Sequence, residues 1–350
     1  ESGLILSSVE NSELTYEKKH ELNIGAEIGF IDNRINIEAD WYTRNNFDLI
    51  GLIYTKGTGG QLAKFANVAS MKSSGVEFTV STRNIKTKDF SWNTDFIFSH
   101  TKNEVTDLQS NASVMDMISG NGFAMEGYPV RALFSMDFQG LNENGYPTFI
   151  NEKGQLTVSD INFQEQLKKD HLVYEGPTDP TMTGSLGNIF RYKGFTLNAF
   201  ITYSFGNVIR LDPVFHNVYS DLDAMPREFI NRWTTGGDEK VTNVPVIADK
   251  RANQQDPYLS YAYNVYNYST ERIAKGDFIR MKELSLSYNF PKKMISRLKV
   301  NDLSLKIQAT NLFLIYSDKK LNGQDPEFFN TGGVASPVPR QFTLTLRLGI

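Results

Sequence analysis

Apolar and polar residues alternate along much of this chain. In 22–30, Leu22, Ile24, Ala26, Ile28 and Phe30 fall on one side, and Asn23, Gly25, Glu27 and Gly29 on the other. A period of two residues marks a strand with one apolar face. Asp32-Asn33 supplies a tight turn, and Ile35, Ile37, Ala39 and Trp41 then oppose Asn36, Glu38, Asp40 and Tyr42. This is a hairpin. The pattern returns at Val76–Val80 and Trp92–Phe98. It returns again at Leu186–Tyr192 and Phe195–Phe205, joined at Lys193-Gly194. It closes the chain at Leu284–Phe290, Leu303–Ala309 and Phe342–Ile350.

The spacing predicts roughly ten strands, many of about ten residues, the length a tilted strand needs to cross a bilayer. Short turns fall near 32–33, 86–89, 192–194 and 291–299, and long segments at about 51–68, 109–130, 143–182, 206–276 and 316–339. Turns on one rim and long loops on the other match an outer-membrane barrel. The expected fold is all-β, a transmembrane antiparallel β-barrel with long extracellular loops. A soluble sandwich more often has strands of about 5–6 residues and less lopsided connections.

Composition changes this picture in few places. The 350 residues are 40% hydrophobic and 22% charged with a net charge of −4, which does not fit a dedicated nucleic-acid binder. Zero Cys excludes disulfides, thiolate metal sites and thiol nucleophiles, and four scattered His give no metal spacing. A mean hydropathy of −0.36 would ordinarily read as soluble, but a barrel that alternates lipid-facing and lumen-facing residues has an ordinary average. No apolar run approaches the ~18 residues of a membrane helix. The first residues carry no basic segment followed by an apolar block, so no signal peptide is expected here.

On the polar sides, Glu38, Asp40, Glu77, Asp95, Lys306 and Arg347 stand where a narrow barrel would need apolar fill. They are expected to line a wide, wet lumen, as solvated residues or as contacts for substrate or a plug. Ten membrane strands in a row would leave two free edges exposing unpaired backbone to lipid, at several kcal/mol for each group. The sheet must therefore close narrowly or be completed by residues outside this chain.

Candidate chemistry is sparse. There is no G-x-S-x-G, H-E-x-x-H or P-loop, and Lys56–Gly60 reads as a loop. Asp325 and Glu327 flank Pro326 in what reads as a rim turn. Tyr258, Tyr261, Tyr263, Tyr266 and Tyr268 crowd one long segment, either as substrate or lid contacts or as loop packing. Trp233 is placed on a short helix capped by Asp223, with Pro226 in its first turn. Trp41 and Trp92 suit an interfacial belt.

The residues GDFIRMKELSLSYNFPKKMISRLKVNDLSLKIQATNLFLIY at 276–316, GQDPEFF at 323–329 and PVPRQFTLTLRLGI at 337–350 resemble the carboxy-terminal strands of the SusC/RagA family of TonB-linked outer-membrane transporters of Bacteroidetes. In that family a G-x-F-[IL]-R strand precedes an "NL" strand end, a "DPE" loop and a final P-x-x-R strand. EGYPVRALFSMDFQGLNENGYPTF (126–149), PTDPTMTGSLGNIFRYKGFTLNAFITYSFGNVI (177–209), FINRWT (229–234) and KKHELNIGAEIGFIDNRINIEADWYTRNNFDLI (18–50) resemble further family segments, in order. One departure is Ile350, where the family usually ends in an aromatic.

The resemblance implies that 1–350 is the carboxy-terminal part of a plugged barrel of about 22 strands. The plug domain and signal peptide would lie outside this chain. It further implies TonB-dependent import of an oligosaccharide or peptide, with no catalysis, cofactor or metal. The implied setting is the outer membrane of a Gram-negative bacterium. The implied partners are a SusD-like surface lipoprotein, TonB-ExbB-ExbD acting through the missing plug, and the lipid bilayer. A passive porin and a soluble carbohydrate-binding β-domain are the alternatives.

Overall fold

The computed structural model describes residues 11–54, 63–109, 112–215, 227–247, 250–296, 300–328, 337 and 339–349. Nine strands form one antiparallel sheet in sequence order: β1 (Lys18–Phe30), β2 (Ile35–Tyr54), β3 (Ala63–Lys86), β4 (Phe90–Leu108), β10 (Met182–Tyr192), β11 (Phe195–Phe205), β14 (Phe278–Asn289), β15 (Asp302–Ser317) and β16 (Gln341–Gly349). Where about ten strands were expected, the described residues place nine in this sheet. Among the described residues the sheet stays open, with β1 and β16 at its two edges.

Register explains the alternation. Directly paired residues share a face, and one row runs Ile28–Ile37–Val80–Phe96–Leu186–Ile201–Met281–Phe313 across eight strands. Trp41, Trp92 and Leu344 belong to the same apolar face. This face is not covered: Ile24 is 59% and Leu344 69% exposed. A one-residue slip would exchange the two faces, so the period-2 pattern fixes the pairing.

The connections are lopsided as expected. Residues 31–34, 87–89 and 193–194 turn at one rim, and the short helix α4 (Lys292–Ile295) follows β14 there. Lys193 and Gly194 have φ of 47° and 100°, the two left-handed residues of a type I′ turn, whose twist matches the strands it joins. Strands at the other rim overrun the expected ten residues: β2 has 20, β3 24 and β4 19. At about 3.3 Å per residue such strands outreach a hydrocarbon core of about 30 Å. Beyond it nothing enforces one apolar face, and the alternation fades.

The long segments are folded. Between β4 and β10 lie α1 (Val114–Ile118), β5 (Ala132–Met136), β6 (Phe138–Leu141), β7 (Pro147–Ile150), β8 (Leu156–Thr157) and β9 (Leu172–Pro177). Between β11 and β14 lie β12 (Val208–Arg210), α2 (Lys250–Gln255), α3 (Leu259–Asn267) and β13 (Ile273–Lys275). Val114, Ile118, Met136 and Phe149 from the first excursion pack with Phe215, Leu259, Val265 and Tyr266 from the second in one buried cluster. The main apolar core of the described residues is therefore in this cap and not in the sheet. No described helix is long and apolar enough to cross a membrane.

Candidate functional site: the polar face and its rim

The pairing places Glu38, Asp40, Glu77, Asp95, Lys306 and Arg347 on one face, opposite the exposed apolar one. Asp40 stands directly across from Glu77, and Glu38 from Glu27. Like charges so placed repel, which water on that side screens. Asp95 accepts a hydrogen bond from Ser81 Oγ at 2.7 Å. Lys306 Nζ lies 3.8 Å from Glu283 Oε1. Tyr42, on the same face, is buried because its ring crosses Gly75, where a Cβ would collide with it. Its hydroxyl meets Thr101 Oγ1 at 2.8 Å, across β3.

At the long-loop rim the structure joins two segments singled out in the sequence. Arg280 of β14 is buried and paired with Asp325, and its Nε lies 2.8 Å from Glu327 Oε2, off the N–H axis. Asp325 also accepts the Glu327 N–H at 3.1 Å. The Asp-Pro-Glu turn is thus also an arginine clamp that ties the 325–328 segment to the sheet.

Beside Arg280, β14 is irregular. Met281 and Glu283 have partners on both β11 and β15, and Lys282 between them has none on either. A bulge adds one residue to a strand and re-aims the side chains around it. Opposite, Asn311 of β15 takes a left-handed φ of 52°, a conformation asparagine tolerates better than most residues. The expected strand end at Asn311-Leu312 is therefore a kink, and β15 continues to Ser317. The sequence carried this signal. Ile279 and Met281 are out of phase with Leu284 and Leu286, and such a slip is what an inserted residue leaves.

Lys282 lines a cavity of about 630 Å³ between the polar face and the cap. Thr183 pairs with Ser204 and Ser185 with Thr202, and these four hydroxyl residues form its wall. Arg131 and Glu327 close it from the cap side.

Within the cap, the tyrosine run separates by helical spacing. Leu259, Ala262, Tyr263 and Tyr266 occupy the buried side of α3, a spacing of i, i+3, i+4, i+7. Tyr263 stacks on Phe215 at 4.6 Å and donates to Val246 O at 2.8 Å. Tyr266, 1% exposed, meets Phe138 edge-on at 5.6 Å. Tyr268 packs against the same cluster beneath the Arg210 guanidinium. Tyr263 and Tyr266 are thus buried and Tyr268 half-buried against the cluster, the loop-packing alternative for these three. Tyr258 and Tyr261 remain exposed, their ring centroids 6.1 Å apart.

The two excursions are fastened by Arg210 of β12, which donates to Phe134 O, Ser135 Oγ and Ser269 O at 2.6, 3.1 and 3.0 Å. Burial pulls its guanidinium down to about 10, and it stays charged at neutral pH. Nearby, burial raises the Glu175 carboxyl, against the lowering effects of Ser135 and Arg210.

Trp233 does not lie on a helix. The 3₁₀ turn covers Arg227–Asn231, while Trp233 covers Gly145 and donates its Nε1 to Glu239 at 3.1 Å. Asp223, Pro226 and Lys56–Gly60 lie outside the described residues. A capping box at Ser113 and Asp116, which starts α1, was legible as S-x-x-D but not singled out. Among the described residues no group of three or more His, Cys, Asp or Glu side chains gathers to hold a metal ion.

No family model matches the chain. The chain is 24% identical over 340 residues to TonB-dependent receptor P3 of Formosa agariphila, covering 93% of this chain and 32% of the relative. It is 26% identical over 357 residues to TonB-dependent receptor SusC of Bacteroides thetaiotaomicron, covering 97% and 32%. Its fold matches a chain in the structure of the RagAB peptide transporter with a TM-score of 0.76 at 22% identity, over 99% of this chain and 37% of that one. The chain thus spans about a third of the length of the curated relatives it matches. Relatives and fold agree with the motifs: the chain resembles the strand-rich part of a SusC/RagA-type TonB-dependent receptor.

Proposed function

We propose that 1–350 is part of the barrel wall of an outer-membrane, TonB-dependent nutrient importer. In this reading the apolar face meets acyl chains and the polar face lines the lumen. The rest of the wall, the plug and the TonB contact are supplied by residues outside this chain. The observation that carries the reading is a single nine-stranded sheet with an uncovered apolar face, a charged opposite face and, among the described residues, the long excursions at one rim. A water-soluble carbohydrate-binding domain would cover that apolar face. The two open edges favour a larger wall over a narrow self-contained porin, because an edge in lipid strands unpaired backbone groups.

The cargo is a polar oligomer, an oligosaccharide or a peptide. Tyr258 and Tyr261 serve as contacts for cargo or for a SusD-like lipoprotein closing the outer mouth. No residue here is assigned catalysis. The test is uptake of labelled oligosaccharides and peptides by cells carrying the full-length receptor, with and without a protonophore. Energised uptake lost with the receptor is expected. Uptake indifferent to the protonophore would instead favour the porin, and extraction without detergent would exclude both membrane readings.

A further inference from the structure

We propose that the cavity beneath the cap is a carboxylate subsite, in which Lys282 takes an acidic group of the cargo. The inference rests on the import reading and sharpens it by naming a chemical feature of what is carried.

Charge accounting on the cavity lining leads to this residue. Three ionic side chains line it: Arg131, Glu327 and Lys282. Arg131 has its counter-ion in Asp179, 2.7 Å away. Glu327 shares Arg280 with Asp325. Among the described residues Lys282 has no ion-pair partner of its own, so its ammonium lines the cavity unpaired. The backbone supplies an independent observation. Lys282 is the residue left unpaired by the β14 bulge in both neighbouring ladders. Bulges recur beside functional sites, where they turn a side chain that regular pleating would point elsewhere. Strict alternation through Arg280 would have spent one residue here. The insertion lets Lys282 line the cavity while Glu283 resumes the polar face.

The rest of the lining fits a polar, uncharged body attached to that acid. Ser185 and Ser204 are buried, and with Thr183 and Thr202 they offer hydroxyls that both donate and accept. Such a wall serves sugar hydroxyls and peptide groups alike. An ammonium in a partly enclosed cavity strengthens its pairing with a carboxylate relative to bulk water. The shared chemistry is therefore a carboxylate on a hydroxyl- or amide-rich oligomer, drawn from a uronic-acid sugar or from a peptide.

The test uses the purified full-length receptor in detergent and four ligands: trigalacturonic acid against maltotriose, and triglycine against triglycine amide. Calorimetric titration is expected to show at least one acid binding about tenfold or more tighter than its neutral counterpart. Lys282→Gln should erase that preference and Lys282→Arg should keep it. Rising salt should weaken the acid and leave the neutral ligand unchanged, a readout on the unaltered receptor that needs no variant to fold. The pair that shows the preference names the source. No acid preference in either pair, or a preference that survives Lys282→Gln, overturns the proposal. Protonophore-sensitive uptake without acid preference defeats this inference alone, whereas acid preference without energised uptake defeats the import reading.

Discussion

The sheet and the cap answer the same physical problem in opposite ways. The cap buries its apolar residues among themselves: Leu133, Met136, Phe149 and Leu259 are each fully enclosed. The sheet leaves Leu344 and Leu346 uncovered and hides instead such small polar residues as Ser185 and Ser285. A chain folded wholly in water has no reason to do both. The difference teaches that "inside" is set by the medium on each side. For the cap that medium is water all round, and for the sheet it is proposed to be lipid on one face and water on the other.

Substitutions can break this contrast. The largest effect is expected for Tyr266→Ala, which opens a void in the cap and should cost about 3–5 kcal/mol of cap stability. Limited proteolysis should cut the long excursions sooner, while heat-modifiable gel mobility, the signature of an intact barrel, persists. If both are lost together, cap and sheet are one cooperative unit. Next comes a pair of neighbours on β16. Leu344→Arg should cost about 2–4 kcal/mol in urea unfolding of the full-length receptor in phospholipid vesicles if the residue lies near the bilayer midplane. Thr343→Arg, on the polar face opposite Gln308, should change stability by less than about 0.5 kcal/mol. Equal costs would erase the distinction between the faces.

A smaller effect separates surface from core within one helix. Replacing Tyr258 and Tyr261 together by Ala should leave stability within about 0.5 kcal/mol of the parent while lowering uptake several-fold. Unchanged uptake would remove their proposed role as contacts. The smallest effect is electrostatic. Burial raises the Glu175 carboxyl, so the folded cap holds its proton more tightly than the unfolded chain does. Stability tied to that proton is present below the unfolded value of about 4.3 and is lost as pH rises through the raised folded value. Glu175→Gln should therefore stabilise the cap at pH 7 against proteolysis. That advantage should shrink toward zero as the pH falls to about 4.

The sheet was legible because lipid-scale strands repeat their period often enough to read. Ile28, Ile37, Val80 and Phe96 each sit in such a run, and they fall in one row. The cap strands β5 to β9 have two to six residues, too few to establish any period. Helix α3 could have been read from the spacing of Leu259, Tyr263 and Tyr266, but five tyrosines in eleven residues drew attention to residue type over phase. The polar face was legible residue by residue. The clamp of Arg280 by Asp325 and Glu327 was not, because its partners are 45 residues apart and joined only by folding. Lys282 lay beyond the alternation rule because it occupies a bulge, where that rule resets.

The fastening at Arg210 has a consequence for the order of assembly. Its three acceptors lie 59, 75 and 76 residues away, on either side of the β10–β11 hairpin. Neighbouring strands such as β10 and β11 can zip up across a two-residue link. The arginine finds its carbonyls only after that hairpin has brought both excursions to the same rim. Closure of such distant chain segments is slow compared with local pairing. Outward-projecting structure should thus mature last, after the strands are in register, and its protease resistance would be a late timestamp on biogenesis.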